Sequence, residues 1–268
     1  MRLREIEQTI LNEVVFHYIR NPEPIGSVQL KEVIAIDLSS ATIRNYFRRL
    51  VDEGLLTQLH ASSGRIPTDK ALQSYWRQTL DCTRAVEIDA DRLAASAKVH
   101  GLYALVQMRT PNRLQEVVKA KNGQLMAAFE QGAAVMEASA VIERLLSEFT
   151  GYDLADLIAI AQSNRIDALF YALRQLRLQS TVRFNTQALI ALATQTPGWS
   201  DRRFDALYEG DIAEGLKPGV FFESHAPEGC AVLAQHAKVD NRPALLVAFG
   251  PVTKDYQGFI NHARKGEL

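Results

Sequence analysis

Ser39-Ser40-Ala41-Thr42-Ile43-Arg44-Asn45-Tyr46-Phe47-Arg48-Arg49-Leu50-Val51-Asp52-Glu53-Gly54 is the stretch around which the rest of the chain can be organised. At 100° per residue a helix here gathers Ile43, Tyr46, Phe47 and Leu50 on one face. Ala41, Thr42, Arg44, Asn45, Arg48, Arg49 and Asp52 then fall on the other. Ser39 or Ser40 can accept a bond from an orphan amide at the start, and Gly54 supplies a left-handed stop. The polar face carries the groups that read base edges. Arginine bonds bidentately to guanine, asparagine to adenine, and alanine or threonine methyls touch the thymine methyl, while further arginines hold phosphates. Short side chains come first and long ones later, as the tilt of a recognition helix in the major groove requires.

Upstream, Leu3, Ile6, Ile10, Val14 and Tyr18 draw an apolar stripe along a helix that ends near Arg20. The prolines of Asn21-Pro22-Glu23-Pro24 then turn the chain. Ser27 is placed to cap a short helix carrying Leu30, Val33 and Ile34, and is expected among the DNA-binding residues. Downstream, residues 55–59 and 65–68 read as two strands around the turn Ala61-Ser62-Ser63-Gly64. The tip of this hairpin presents His60, Ser62, Ser63 and Arg65 to phosphate or the minor groove. Thr68 caps a fourth helix with Leu72, Tyr75, Trp76 and Leu80 on one side. Residues 1–80 therefore spell a winged helix-turn-helix domain. Arginines on a helix face are also compatible with a merely solvated surface, since residues 1–80 hold ten basic and nine acidic side chains, a net +1. Winged helices also serve as protein-binding modules.

The whole chain of 268 residues carries 30 basic against 31 acidic side chains, so no global field draws it to a polyanion and any DNA contact must be local. An apolar fraction of 47% suits about two globular domains. Cys82 and Cys230 lack CxxC partners, which argues against a disulfide framework or a zinc knuckle and for a reducing compartment. No apolar run nears the ~18 residues of a membrane span, and residues 1–7 lack the apolar stretch of a signal peptide, so a cytoplasmic protein is expected.

Three stretches resemble the HrcA repressors of bacterial heat-shock operons: Glu23-Pro24-Ile25-Gly26-Ser27, Ser39-Ser40-Ala41-Thr42-Ile43-Arg44-Asn45, and His60-Ala61-Ser62-Ser63-Gly64-Arg65-Ile66-Pro67-Thr68. Leu50, Gly54, Leu55 and Leu56 fit between them at the family's spacing, and Gly250-Pro251-Val252-Thr253-Lys254-Asp255-Tyr256 is similar to the family's carboxy-terminal ending. Ala71 and Leu72 depart from the pattern, standing where glycine and tyrosine are expected. The resemblance implies DNA-binding residues at Ser40, Ala41, Thr42, Arg44 and Asn45 and in the wing at His60, Ser62, Ser63 and Arg65. It further implies the inverted repeat CIRCE as operator, a homodimer, and the GroEL chaperonin as a partner that keeps the repressor active.

Beyond Gly101 the pattern turns to short alternating segments at 102–108, 114–120, 125–129 and 133–137, read as strands of one antiparallel sheet with a tight turn at Asn122-Gly123. Helical spacing follows from 139 to about 195, and strands return at 220–223, 230–239 and 243–249. The fold class is therefore α+β. By resemblance, a GAF-like domain (81–138 and 216–268) surrounds an inserted, mainly helical dimerisation domain (139–215). His100, His225, His236 and His262 show no metal-ligand spacing, and no nucleophile elbow, phosphate loop or dinucleotide fingerprint occurs. No enzyme activity, metal or cofactor is expected. The alternative is a winged-helix regulator controlled by a small molecule bound to its GAF-like domain.

Overall fold

The computed structural model describes residues 2–60, 63–196, 199–213 and 215–266. It begins with α1 (Arg2–Arg20), α2 (Ser27–Val33) and α3 (Ser40–Asp52), continues through a hairpin of β1 (Leu56–Thr57) and β2 (Ile66–Pro67), and closes with α4 (Asp69–Thr79). Ile10, Val14 and Val15 of α1 are buried with Leu30 of α2, Ile43, Phe47 and Leu50 of α3, and Leu72 and Trp76 of α4. Thr68 ties the exit of α3 to the entry of α4. Its hydroxyl donates to the Gly54 carbonyl (2.9 Å) and accepts from the Ala71 amide (3.4 Å). Ser27, expected to cap α2, is instead its first helical residue. The cap is Gly26, whose amide donates to Gln29 Oε1 at 2.9 Å.

The rest of the chain is built on a six-stranded sheet in the order β3-β10-β11-β4-β8, with β9 on the same edge of β10 as β3. Its members are β3 (Val86–Ile88), β4 (Tyr103–Met108), β8 (Thr181–Phe184), β9 (Gly219–Phe221), β10 (Cys230–Val239) and β11 (Arg242–Pro251). All pairs are antiparallel except β3 with β10. The turn between β10 and β11 holds Asp240 and Asn241 at φ 51° and 61°, the left-handed pair that a two-residue hairpin loop demands. Alternation sends Ala104, Val106, Leu233 and Leu246 to one face, under α5 (Ala90–Val99) and α11 (Tyr256–Ala263). Tyr103, Leu105, Val232 and Val247 face the other side, under α9 (Thr186–Gln195) and α10 (Asp201–Glu209).

The expected single sheet through residues 102–137 is corrected. Only the segment at Tyr103–Met108 belongs to the large sheet, while β5 (Leu114–Lys119), β6 (Gln124–Phe129) and β7 (Ala133–Glu137) form a separate three-stranded meander. The meander packs on α6 (Ala140–Glu148), α7 (Leu154–Ser163) and α8 (Asp167–Gln179), around a core of its own that includes Leu125, Leu157 and Leu173. Gln107 of β4 pairs with Thr181 of β8, so the chain leaves and re-enters the large sheet at neighbouring points. A segment whose ends lie side by side can fold as an insertion without disturbing its host. The excursion thus spans residues 109–180, earlier at both ends than the 139–215 read from helical spacing. Thr181–Phe184, inside that helical stretch, is strand β8.

The amino-terminal helices and the large sheet share one core through α4. The Trp76 indole donates to the Val252 carbonyl at 2.7 Å, and its ring meets Tyr256 edge-on at 5.5 Å between centroids. The Tyr256 hydroxyl in turn reaches the Gly250 and Ala231 carbonyls at 2.7 and 3.1 Å. Replacing Trp76 with Phe keeps an aromatic ring but strips the buried Val252 carbonyl of its donor, at a cost of about 1–3 kcal/mol. A urea denaturation series reads this directly, and an unchanged midpoint contradicts the assigned role.

Candidate nucleic-acid interface

On α3 the inward set Ile43, Tyr46, Phe47 and Leu50 is buried, so the helix is locked with its opposite face outward. The Ser39 hydroxyl caps it, accepting from the Thr42 amide at 3.0 Å and lying 2.8 Å from the Thr42 hydroxyl. Gly54 follows the helix at φ 70°. Ala41, Arg44, Asn45, Arg48 and Arg49 are exposed, with Ser40 and Thr42 half-buried beside them. Among the described residues Arg44, Asn45 and Arg48 make no side-chain hydrogen bond or ion pair. Their donors are available to a ligand.

Arg49 is placed differently. Its Nη2 lies 3.2 Å from Glu7 Oε2 of α1, and its guanidinium sits 5.8 Å from the Tyr46 ring centroid. Glu7 is itself buried. This arginine braces the helix against α1. Periodicity could not reveal that contact, because its partner lies 42 positions away. Gln29 supplies the second half of a capping box, a Gln side chain reaching back to the amide that precedes the helix, while Gly26 has no side chain to supply the first half that would have announced it.

In the hairpin, Ser63 closes the loop rather than pointing outward. Its hydroxyl donates to the His60 carbonyl (2.8 Å) and accepts from the His60 amide (3.0 Å). Arg65 is half-buried and folds back, with Nη1 on the Ser63 carbonyl at 3.2 Å. His60 is exposed, and Ser62 lies outside the described residues. Arg65 also pairs with Ile25 through two backbone bonds, Ile25 N to Arg65 O (3.0 Å) and Arg65 N to Ile25 O (2.9 Å). The hairpin is thereby stitched to the segment that leads into α2 and Ser27, which is half-buried. A Cβ on Gly64 would lie 2.5 Å from the Ile25 carbonyl carbon and oxygen, so only glycine permits the approach.

Elsewhere, burial pushes the Cys82 and Cys230 thiols up to about 11, leaving both protonated at neutral pH. His100 and His262 approach to 6.1 Å between ring centroids, and burial lowers the His100 pKa below its ordinary value. Among the described residues no three His, Cys, Asp or Glu side chains are grouped to hold a metal ion.

Residues 76–267 match the family model of the HrcA C-terminal domain. The chain is 30% identical over 263 residues to the heat-inducible transcription repressor HrcA of Helicobacter pylori strain J99, covering 97% of this chain and 95% of the relative. The HrcA repressor of Protochlamydia amoebophila is 54% identical over 69 residues, 26% of this chain and 18% of that one. A crystal structure described as that of a hypothetical protein superposes with a TM-score of 0.49 at 19% identity, covering 96% of this chain and 95% of the other.

Because backbone stands where a Cβ at position 64 would go, Gly64→Ala must part the Ile25–Arg65 pairing or displace the loop. The expected cost is about 1–3 kcal/mol of stability. Faster proteolytic nicking at the hairpin should accompany it. A variant that melts and digests like the parent contradicts the close approach.

Proposed function

This chain belongs to the HrcA family of heat-inducible transcription repressors, and from that premise we propose that α3 is the recognition helix of a winged helix-turn-helix formed by residues 1–80. The observation that carries the reading is the row Arg44, Asn45 and Arg48, exposed and unpaired among the described residues on a helix whose opposite face is buried. Arg44 and Asn45 would take base edges in the major groove, with Ser40, Ala41 and Thr42 at the shallow end and Arg48 on phosphate. Ser27, His60 and Ser62 would meet the backbone on either side, while Ser63 and Arg65, turned inward, would hold the shape of the wing and reach phosphate only by giving up their bonds within the loop. Arg49, tied to Glu7, would orient the helix instead of reading a base.

One such domain spans few base pairs, so two-fold pairing over the inverted repeat CIRCE would double the contacts at fixed spacing. The insertion is suited to hold the dimer. Its meander is covered by helices on one side, while the other side presents Val118, Met126 and Val135 in one cross-strand row, 37%, 38% and 53% exposed. An apolar sheet face of that kind marks an interaction surface. On this reading residues 109–180 are the dimerisation domain and the large sheet is the GAF-like domain around it. The family relation also supports partnership with the GroEL chaperonin and residence in the cytoplasm. No described helix is long and apolar enough to cross a membrane.

Arg44→Ala and Asn45→Ala should each lower affinity for an inverted-repeat duplex by about 1–3 kcal/mol and relax discrimination at one base pair. Fluorescence anisotropy on matched and base-substituted duplexes reads both. Equal losses on scrambled DNA would move these side chains from bases to phosphates. For the dimer, Met126→Glu puts a charge in the middle of the apolar row. Sedimentation velocity should then show monomers with weakened operator binding, whereas an intact dimer would remove the meander from the interface.

A further inference from the structure

We propose that the wedge between the large sheet and the insertion is a binding site for a small amphipathic carboxylate, a molecule with an apolar body and one anionic end. The wedge is a cavity of about 390 Å³, within the range of small-molecule sites. Its floor is the sheet face where α5 ends its cover: Val106 and Met108 of β4, with Val182 and Phe184 of β8. Val182 is 51% exposed, an apolar side chain left in solvent on a face that elsewhere is covered by helices. Lining residues come from β10 across β11 and β4 to β8, so the trough runs over three strand spacings, about 14 Å. An elongated apolar body suits that shape better than a compact one.

The polar groups are confined to the rim. Alternation along β11 puts Arg242 on the same face as Ala244 and Leu246, and its guanidinium is half-exposed at the mouth. Its ion pair with Asp240 is loose, at 3.9 Å to a carboxylate that is itself 82% exposed, and such pairs hold little. Gln131 and Gln179, both from the insertion, also line the wedge. Among the described residues Arg242 is the one cation of the lining, which Asp240 and Ser180 share. With Asp240 turned largely to solvent, the cation beside an apolar trough suits an anion with hydrocarbon attached better than a sugar, a nucleotide or a metal ion. A ligand seated there would touch both the sheet and the insertion, and so would set the angle between them. The site does not depend on the DNA reading, and its binding is measured apart from it.

The test is calorimetric titration of the full-length protein with decanoate, below its micelle concentration, and with decanol as the uncharged control. Decanoate should bind saturably, one per chain, and more tightly than decanol. Arg242→Gln should weaken decanoate by about tenfold, the worth of one charge-assisted hydrogen bond, and leave decanol unchanged. Val182→Asp, at an exposed position, should weaken both by tenfold or more, with unaltered circular dichroism as the folding control. Absence of saturable decanoate binding overturns the proposal, as does undiminished binding in Val182→Asp. Equal affinities for decanoate and decanol overturn the assignment of Arg242.

Discussion

Burial of Ile43, Tyr46, Phe47 and Leu50 against the other amino-terminal helices decides which way α3 faces, and the proposed contact with DNA depends on that facing. A helix can rotate on a core only by exchanging apolar for polar side chains inside. Four large apolar residues on a single face leave one orientation. The Ser39 cap fixes where the helix starts, Gly54 where it ends, and the Arg49–Glu7 pair resists its swinging away from α1. The outward row is thus a consequence of packing, and its chemistry suits a base reader.

The same core extends beyond the first eighty residues. Trp76 lies at the boundary, bonded to Val252 and stacked edge-on with Tyr256, and Tyr256 reaches across to strands β10 and β11. Interiors are close-packed, so the sheet and α4 constrain each other at this joint, and Thr68 at the entry of α4 bonds the Gly54 and Leu55 carbonyls ahead of the hairpin. The carboxy-terminal stretch from Gly250 to Tyr256 and helix α4, far apart in sequence, meet at this joint. That meeting gives the ending a structural reason: Gly250 admits Leu102, which a Cβ would meet at 2.4 Å, and Asp255 caps α11 through the Gly258 amide at 2.8 Å.

Local signals carried the amino-terminal reading far and the remainder less so. The period of α3, the stop at Gly54 and the cap at Thr68 are written within one or two turns of where they act. The cap at Gly26 was missed because its bond comes from a glutamine three residues on, not from the neighbouring serine. The alternating segments at 114–137 were recognised as strands, but which sheet a strand joins is a non-local fact. Gln107 with Thr181, and Ala237 with Val86, are pairings that no spacing announces. At the candidate site, residue types pointed to Arg44 and Asn45, while the inward turns of Arg65 and Ser63 depend on bonds inside the loop.

In the proposed dimer two copies of α3 are held at one fixed separation and each enters a major groove. Lengthening the spacer of the inverted repeat by about half a helical turn, 5 bp, carries one half-site to the far side of the duplex. Affinity measured across such a spacer series should fall to the non-specific level at the half turn. Binding that stays level through the series would contradict paired entry of the two helices into the major groove.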